Sequence, residues 1–176
     1  MAEIKSTLEL ILEKTRHMTL TEEEKKEQAR ADLLISLRVL VQKYQNGVLS
    51  LRDFASEYDR VRSSSREDAA GLLREELFRQ LDPQKDNTSV LTLLGEICSV
   101  AVSGITAVLD ESREAVSRAL EERTKHKLEE LRNDRGISGS AVLPNLEADP
   151  RWKEDRERIR DDYALRLARE CARLTP

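Results

Sequence analysis

The chain has 176 residues, of which 36% are charged and 39% hydrophobic, and it contains only 6 glycines and 4 prolines. Leu, Ala, Glu, Arg and Lys dominate, which is typical of helices rather than sheets, so the sequence predicts an all-α fold. The net charge of −4 is evenly spread, with 15 basic and 17 acidic residues on each side of Ser89. Because neither half is a basic arm, we expect no nucleic-acid partner.

Two helices are predicted before residue 47. The first covers residues 3–16, where apolar residues recur on one face of a helical period; these are Ile4, Leu8, Ile11 and Leu12. Thr21 and Glu24 form a capping box that opens a second helix over residues 22–46. Gly47 is a helix stop, and we expect Val48 to make the apolar contact that often follows such a glycine.

Three further helix boundaries precede the middle of the chain. Ser50 starts a third helix that is expected to fold back on the second as a helical hairpin, and Ser65 is expected to cap a fourth helix. Pro83 ends that helix, and Asn87 can cap the next. We expect N-terminal helical segments over 1–89 and a C-terminal part over 90–176, together forming one cooperative domain.

From Thr88 to Arg135 only Gly95 and Gly104 interrupt the helical pattern, which predicts one long central helix. Such a helix would be roughly 70 Å long, too long for a compact body of this chain length. It must therefore bend near Gly104 or project its charged second half. The expected architecture is a mostly antiparallel helical bundle with one long central helix and an extended helical hairpin.

The segment 90–109 contains a single charged residue, Glu96. It is interpreted as a helix buried on all sides, as an oligomer interface or as a membrane segment. The membrane is possible but not favoured, because neither an aromatic belt nor a Lys/Arg-rich flank accompanies the segment. The predicted interaction face comprises Val90, Leu94, Ile97, Ala101, Ile105, Leu109, Val116 and Leu120.

The second half of the long helix, residues 110–135, keeps only a narrow apolar seam of the coiled-coil kind. Asp149 and Pro150 open a final helix as its N-cap and first residue. Because this helix has a matching length, we expect it to fold back along the seam. What it leaves uncovered is expected to contact a second copy of the chain.

The connection from Gly136 to Pro150 is the candidate recognition loop. Its apolar residues are expected to be buried; these are Ile137, Val142, Leu143 and Leu146. It is interpreted either as a packed connection between helices or as a loop that recognises a partner or ligand. The residues expected to make that recognition are Ser138, Gly139, Ser140, Pro144, Asn145 and Trp152.

No pattern in the sequence predicts catalysis, a metal site or a cofactor. The only histidines are His17 and His126, and neither lies in the Glu-x-x-His motif of di-iron helical bundles. Cys98 and Cys171 lack metal-ligand or redox spacing and are expected to be reduced thiols in apolar stripes. The chain also lacks a glycine-rich nucleotide motif.

The sequence therefore predicts a helical interaction or scaffolding protein that self-associates or binds a helical partner. One alternative is a membrane-associated protein that inserts residues 90–109. A second is a small-ligand regulator that uses the loop 136–152. The N-terminus lacks the basic-then-apolar pattern of a signal peptide, so we expect a cytoplasmic protein.

Overall fold

A computed structural model of the chain describes residues 21–65 and 67–175. Within these residues there are six α-helices, one 3-10 turn at Leu146–Ala148 and no β-strand, so the predicted all-α class is confirmed. The helices are α1 (Glu22–Gln45), α2 (Leu51–Ser64), α3 (Ala69–Gln80), α4 (Thr88–Glu96), α5 (Ser103–Arg135) and α6 (Pro150–Arg173). The helix expected over residues 3–16 and the residue His17 lie outside the described part.

The chain divides into two compact units, Met1–Leu73 and Arg74–Pro176, and the division falls inside α3. Each unit is described by itself below. The expected segments 1–89 and 90–176, and their unfolding as one cooperative domain, stay predictions.

The first unit contains the predicted hairpin of α1 and α2, which pack against each other. The capping box at its start is confirmed: the Thr21 hydroxyl accepts the Glu24 N–H at 3.2 Å, and the Glu24 carboxylate accepts the Thr21 N–H at 2.7 Å. The helix stop is confirmed too, with Gly47 in the left-handed conformation at φ 70°. The contact expected of Val48 is wrong, because this side chain is 69% exposed.

The core of this hairpin combines leucines of α1 with aromatic residues of α2. The buried residues of α1 are Leu33, Leu37, Leu40 and Val41. Tyr44 of α1 meets Phe54 of α2 edge to face, with ring centroids 5.7 Å apart, and Phe54 stacks on Tyr58 at 6.4 Å. These contacts fix how α2 lies against α1, because edge-to-face and stacked aromatic pairs have preferred geometries.

The fourth predicted helix, α3, is capped by Asp68 and not by Ser65 as expected. Asp68 Oδ1 accepts the Gly71 N–H at 2.9 Å. The Ser65 hydroxyl accepts the Glu67 N–H at 3.1 Å, so this serine shapes the turn that precedes the helix.

The break predicted at 82–87 is confirmed, but Asn87 stabilises it differently from the expectation. Its side chain turns back into the loop, where it accepts the Asp82 N–H at 3.0 Å and donates to the Asp82 and Lys85 carbonyls at 2.8 and 2.9 Å. Asp86 instead accepts the first N–H of α4, at 2.9 Å. Because its amide group is satisfied in this way, Asn87 can be buried, with 1% exposed.

The prediction of one continuous helix from Thr88 to Arg135 is wrong. Helix α4 ends at Glu96, and α5, with 33 residues, begins at Ser103. Gly104, where a bend was considered, lies inside the first turn of α5. The long helix therefore exists, but it starts some fifteen residues later than the pattern indicated.

The interruption has a physical cause in the backbone at Ser99, the one described non-glycine residue with positive φ, at 53°. The Cys98 N–H donates to the Leu93 carbonyl at 3.1 Å, and the left-handed Ser99 then turns the chain so that the Val100 N–H reaches the Leu94 carbonyl at 2.9 Å. These bonds satisfy carbonyls at the end of α4 and stop the helix. Of the described helices, none is long and apolar enough to cross a membrane.

Helices α5 and α6 form the predicted extended hairpin and pack along each other. Their antiparallel direction follows from two cross-helix ion pairs: Arg123 contacts Asp149 near one end at 2.7 Å, and Glu111 contacts Arg166 farther along at 2.9 Å. The expected return of the last helix is thus confirmed. The loop 136–149 therefore lies at one end of this hairpin.

Candidate functional site

The connecting loop begins where Gly136 ends α5 in the left-handed conformation, at φ 63°. The N–H groups of Gly136 and Ile137 both donate to the Leu131 carbonyl, the second at 3.1 Å. A glycine is favoured here because it has no Cβ to clash in this conformation. The chain therefore leaves the helix axis sharply at the position that the sequence indicates.

The residues after this stop form a loop tip, which we define as residues 137–143. A hydrogen bond from the Val142 N–H to the Gly139 carbonyl at 3.2 Å closes it, and Gly139 has φ 141°. Two large apolar side chains of the tip are exposed: Leu143 at 89% and Ile137 at 44%. The expectation that Leu143 and Ile137 are buried is therefore wrong.

Beside the exposed leucine lies a shallow hollow of about 190 Å³ between the loop tip and the last turns of α5. Its walls are mostly apolar, and the residues that line it are Leu128, Glu129, Arg132, Ile137, Ser138, Gly139 and Val142. A protruding apolar side chain and a small apolar hollow thus lie next to each other on the same loop. This arrangement is suited to apolar contact with another surface.

The other end of the loop is held by a pair of buried charges. The Asp149 side chain is only 4% exposed and that of Arg123, on α5, is 10% exposed. Arg123 Nε donates to Asp149 Oδ2 at 2.7 Å, and Nη2 lies 2.7 Å from the same oxygen. Asp149 Oδ1 accepts the Arg151 N–H at 3.1 Å, which makes Asp149 the predicted N-cap of α6 as well.

This arrangement changes the titration of both partners. The hydrogen bond from Arg123 holds the pKa of Asp149 below its ordinary value, although burial acts in the opposite direction. Asp149 in turn raises the pKa of Arg123. Glu130 extends the cluster: Lys127 donates to it at 2.6 Å, which lowers the pKa of Glu130. The pair therefore stays charged at neutral pH.

The predicted recognition residues do not form one surface. Ser138, Gly139, Ser140 and Asn145 are exposed and Pro144 is half-buried, whereas Trp152 is buried, with 4% exposed. Trp152 belongs to the anchored start of α6 and is not available to a partner. The loop is thus divided into an exposed tip and an anchored end.

The predicted interaction face is also divided, because its residues lie on two helices and the turn between them. Val90, Leu94, Ile105 and Leu109 are buried, and Ile97 and Val116 are half-buried. Ala101 and Leu120 are exposed, Leu120 at 40%. The buried four can contact a partner only if the unit opens, so an interaction through this face stays a prediction.

A wider groove of about 580 Å³ in the same unit is lined by the turn Pro83–Asp86 and by residues of α5 and α6. It contains three cationic side chains, but each of them already faces a carboxylate. The pairs are Lys85–Asp82 at 3.2 Å, Arg113–Asp110 at 2.7 Å and Arg156–Glu147 at 3.8 Å. Because the carboxylates offset the positive charge, the groove presents little net field to an anion.

Within the part of the chain that the structure describes, the side chains that most often act as nucleophiles, bases or metal ligands do not come together. Burial raises the pKa of the Cys98 thiol to about 11 and also raises the pKa of Cys171, so neither is a thiolate nucleophile at neutral pH. His126 contacts Glu130 at 3.0 Å on the surface of α5. Residues 21–65 and 67–175 contain no cluster of three His, Cys, Asp or Glu side chains that could hold a metal ion.

Sequence reasoning missed both the exposed tip and the ion pair. The stretch between residues 136 and 146 has no charge, which indicates an exposed apolar surface as readily as the burial that the sequence predicts. No local signal exists for the pairing of Arg123 with Asp149, because 26 positions separate them. Comparisons with protein-family models, curated proteins and solved structures found no match to this chain.

Proposed function

We propose that this protein is a helical interaction or scaffolding module that associates with itself through apolar surface. The observation that supports the proposal is the loop tip: Leu143 and Ile137 are exposed on a tip that has no charged side chain, in a chain that is 36% charged. Apolar surface that is exposed as a contiguous patch marks contact sites, and these two side chains belong to one tip of seven residues.

The hairpin of α5 and α6 supports the loop tip, as a scaffold must support its contact surface. The loop that carries the tip connects α5 to α6, and the buried Arg123–Asp149 pair fixes its far end, at the start of α6, against α5. A contact surface on a rigid support loses less conformational entropy on binding than a free loop. The contact residues are therefore presented in a fixed arrangement.

The test is the molar mass of the full chain in solution, measured by light scattering between about 5 and about 200 µM. We expect the mass to rise from monomer toward dimer with concentration. The rise should persist in about 0.5 M salt, because apolar contacts are not screened as surface ion pairs are. A monomeric mass at every concentration would contradict the proposal.

A further inference from the structure

The loop tip carries both halves of a contact, a protruding side chain and a hollow. Leu143 is the protruding side chain, and the hollow beside it is walled by Leu128, Ile137 and Val142. A surface that carries both halves side by side is suited to a two-fold contact, in which each copy inserts its side chain into the other copy's hollow. A partner of another kind would need only the protruding side chain or only the hollow.

The charges at the rim of the hollow are also self-complementary. Glu129 and Arg132 both line it and are three positions apart on α5, with opposite charges. A two-fold axis that passes between these two positions would place Glu129 of one copy opposite Arg132 of the other, and this pairing would occur twice. A uniformly acidic or basic partner would be attracted by one of these residues and repelled by the other.

We infer that the occupant of the hollow is Leu143 of a second copy of this chain, flanked by reciprocal pairs of Glu129 with Arg132. The inference rests on the proposed self-association and identifies its contact surface. Because the tip is small, the contact buries less area than a standard stable interface. We expect a dissociation constant at the micromolar end of the usual range.

The first experiment compares two exposed leucines by sedimentation velocity of the full chain. Leu143→Ser should weaken dimerisation at least about tenfold, as the loss of a central contact residue does. Leu165→Ser is the matched control, because Leu165 lies on α6 and is 61% exposed. It should dimerise like the wild type. Equal dimerisation of Leu143→Ser and the wild type, or equal loss in both variants, would overturn the inference.

The second experiment tests the occupant. Glu129→Arg and Arg132→Glu should each be monomeric alone, because each places like charges opposite each other across the two-fold axis. An equimolar mixture of the two variants should dimerise, because one copy then presents two bases and the other two acids. A protein of another kind in the hollow cannot produce this rescue.

The outcomes separate this inference from the proposed function. If the wild type stays monomeric up to about 200 µM, both are wrong. If the wild type dimerises but the mixture does not exceed the single variants, self-association stands and the contact lies elsewhere. Circular dichroism should show unchanged helicity in all four variants, because the substituted residues are exposed.

Discussion

Helix α5 ends at Gly136, a glycine in the left-handed conformation, and it begins after a turn in which Ser99 has that conformation. The glycine has no steric cost there, whereas a residue with a Cβ atom loses about 1–2 kcal/mol. Buried neighbours compensate at the serine turn: Leu94 before it and Ile105 after it are fully buried. Each such side chain contributes about 1.5–3 kcal/mol.

The difference shows two ways of ending a helix. At the Gly136 end the backbone needs no packing to turn, so the following loop tip can stay exposed with its apolar side chains. At the Ser99 end the turn has a steric cost, which the burial of Leu94 before it and Ile105 after it offsets. The proposed contact surface therefore lies at the end of α5 where the turn has no steric cost.

The largest expected effect concerns the anchor that holds the far side of the loop. Asp149→Asn keeps a side-chain oxygen for the N-cap but removes the charge opposite Arg123. We expect the free energy of unfolding to fall by about 2 kcal/mol, the range for a hydrogen bond between charged groups. Asp149→Ala also removes the cap and should cost about 1 kcal/mol more.

Chemical denaturation of the full chain measures both losses. The control is Asp162→Asn, at an exposed aspartate on the same helix, which should change the free energy of unfolding by less than about 0.5 kcal/mol. If Asp149→Asn is as harmless as the control, the loop is held by something other than the ion pair.

The same anchor predicts a pH dependence. Because the pKa of Asp149 is lowered in the folded chain, its contribution is present above its unfolded pKa of about 3.9 and is lost as the pH falls through the folded value. The stability difference between the wild type and Asp149→Asn should therefore be full at neutral pH and should shrink as the pH falls below about 3.9. A difference that stays constant from neutral to acid pH would contradict the assignment.

These two ends also show what the sequence can and cannot indicate. Gly136, Asp149 and the Thr21 capping box were predictable, because residue type and local spacing determine them. The turn at Ser99 was not, because serine has no preference for the left-handed conformation and the burial of Leu94 and Ile105, which offsets the steric cost, depends on how the helices pack. The exposure of Leu143 depends on the position of the loop at the end of the hairpin, which hydropathy does not record.

Replacing Gly136 tests the end of α5 at which the left-handed conformation has no steric cost. Gly136→Ala should lower the free energy of unfolding by about 1 kcal/mol, since alanine is strained at φ 63° although there is open space around its Cβ. Gly95→Ala is the matched control: Gly95 lies inside α4, also with open space, and alanine should stabilise the helix by up to about 1 kcal/mol. Denaturation curves that shift in the same direction for both variants would contradict the difference in backbone conformation.

The smallest expected effect comes from removing the steric cost at Ser99, in the turn before α5. Ser99→Gly removes a steric cost of about 1–2 kcal/mol from the folded chain. Glycine also has greater freedom in the unfolded chain, and this lowers the free energy of unfolding by about 0.5–1 kcal/mol. We therefore expect a net gain of about 0.5 kcal/mol in the free energy of unfolding. Ser103→Gly, at the exposed first residue of α5, should instead cost a few tenths of a kcal/mol, because glycine is a poor helix former. If Ser99→Gly destabilises the chain as Ser103→Gly does, the serine turn is not strained and the two ends of α5 do not differ in the way their backbones indicate.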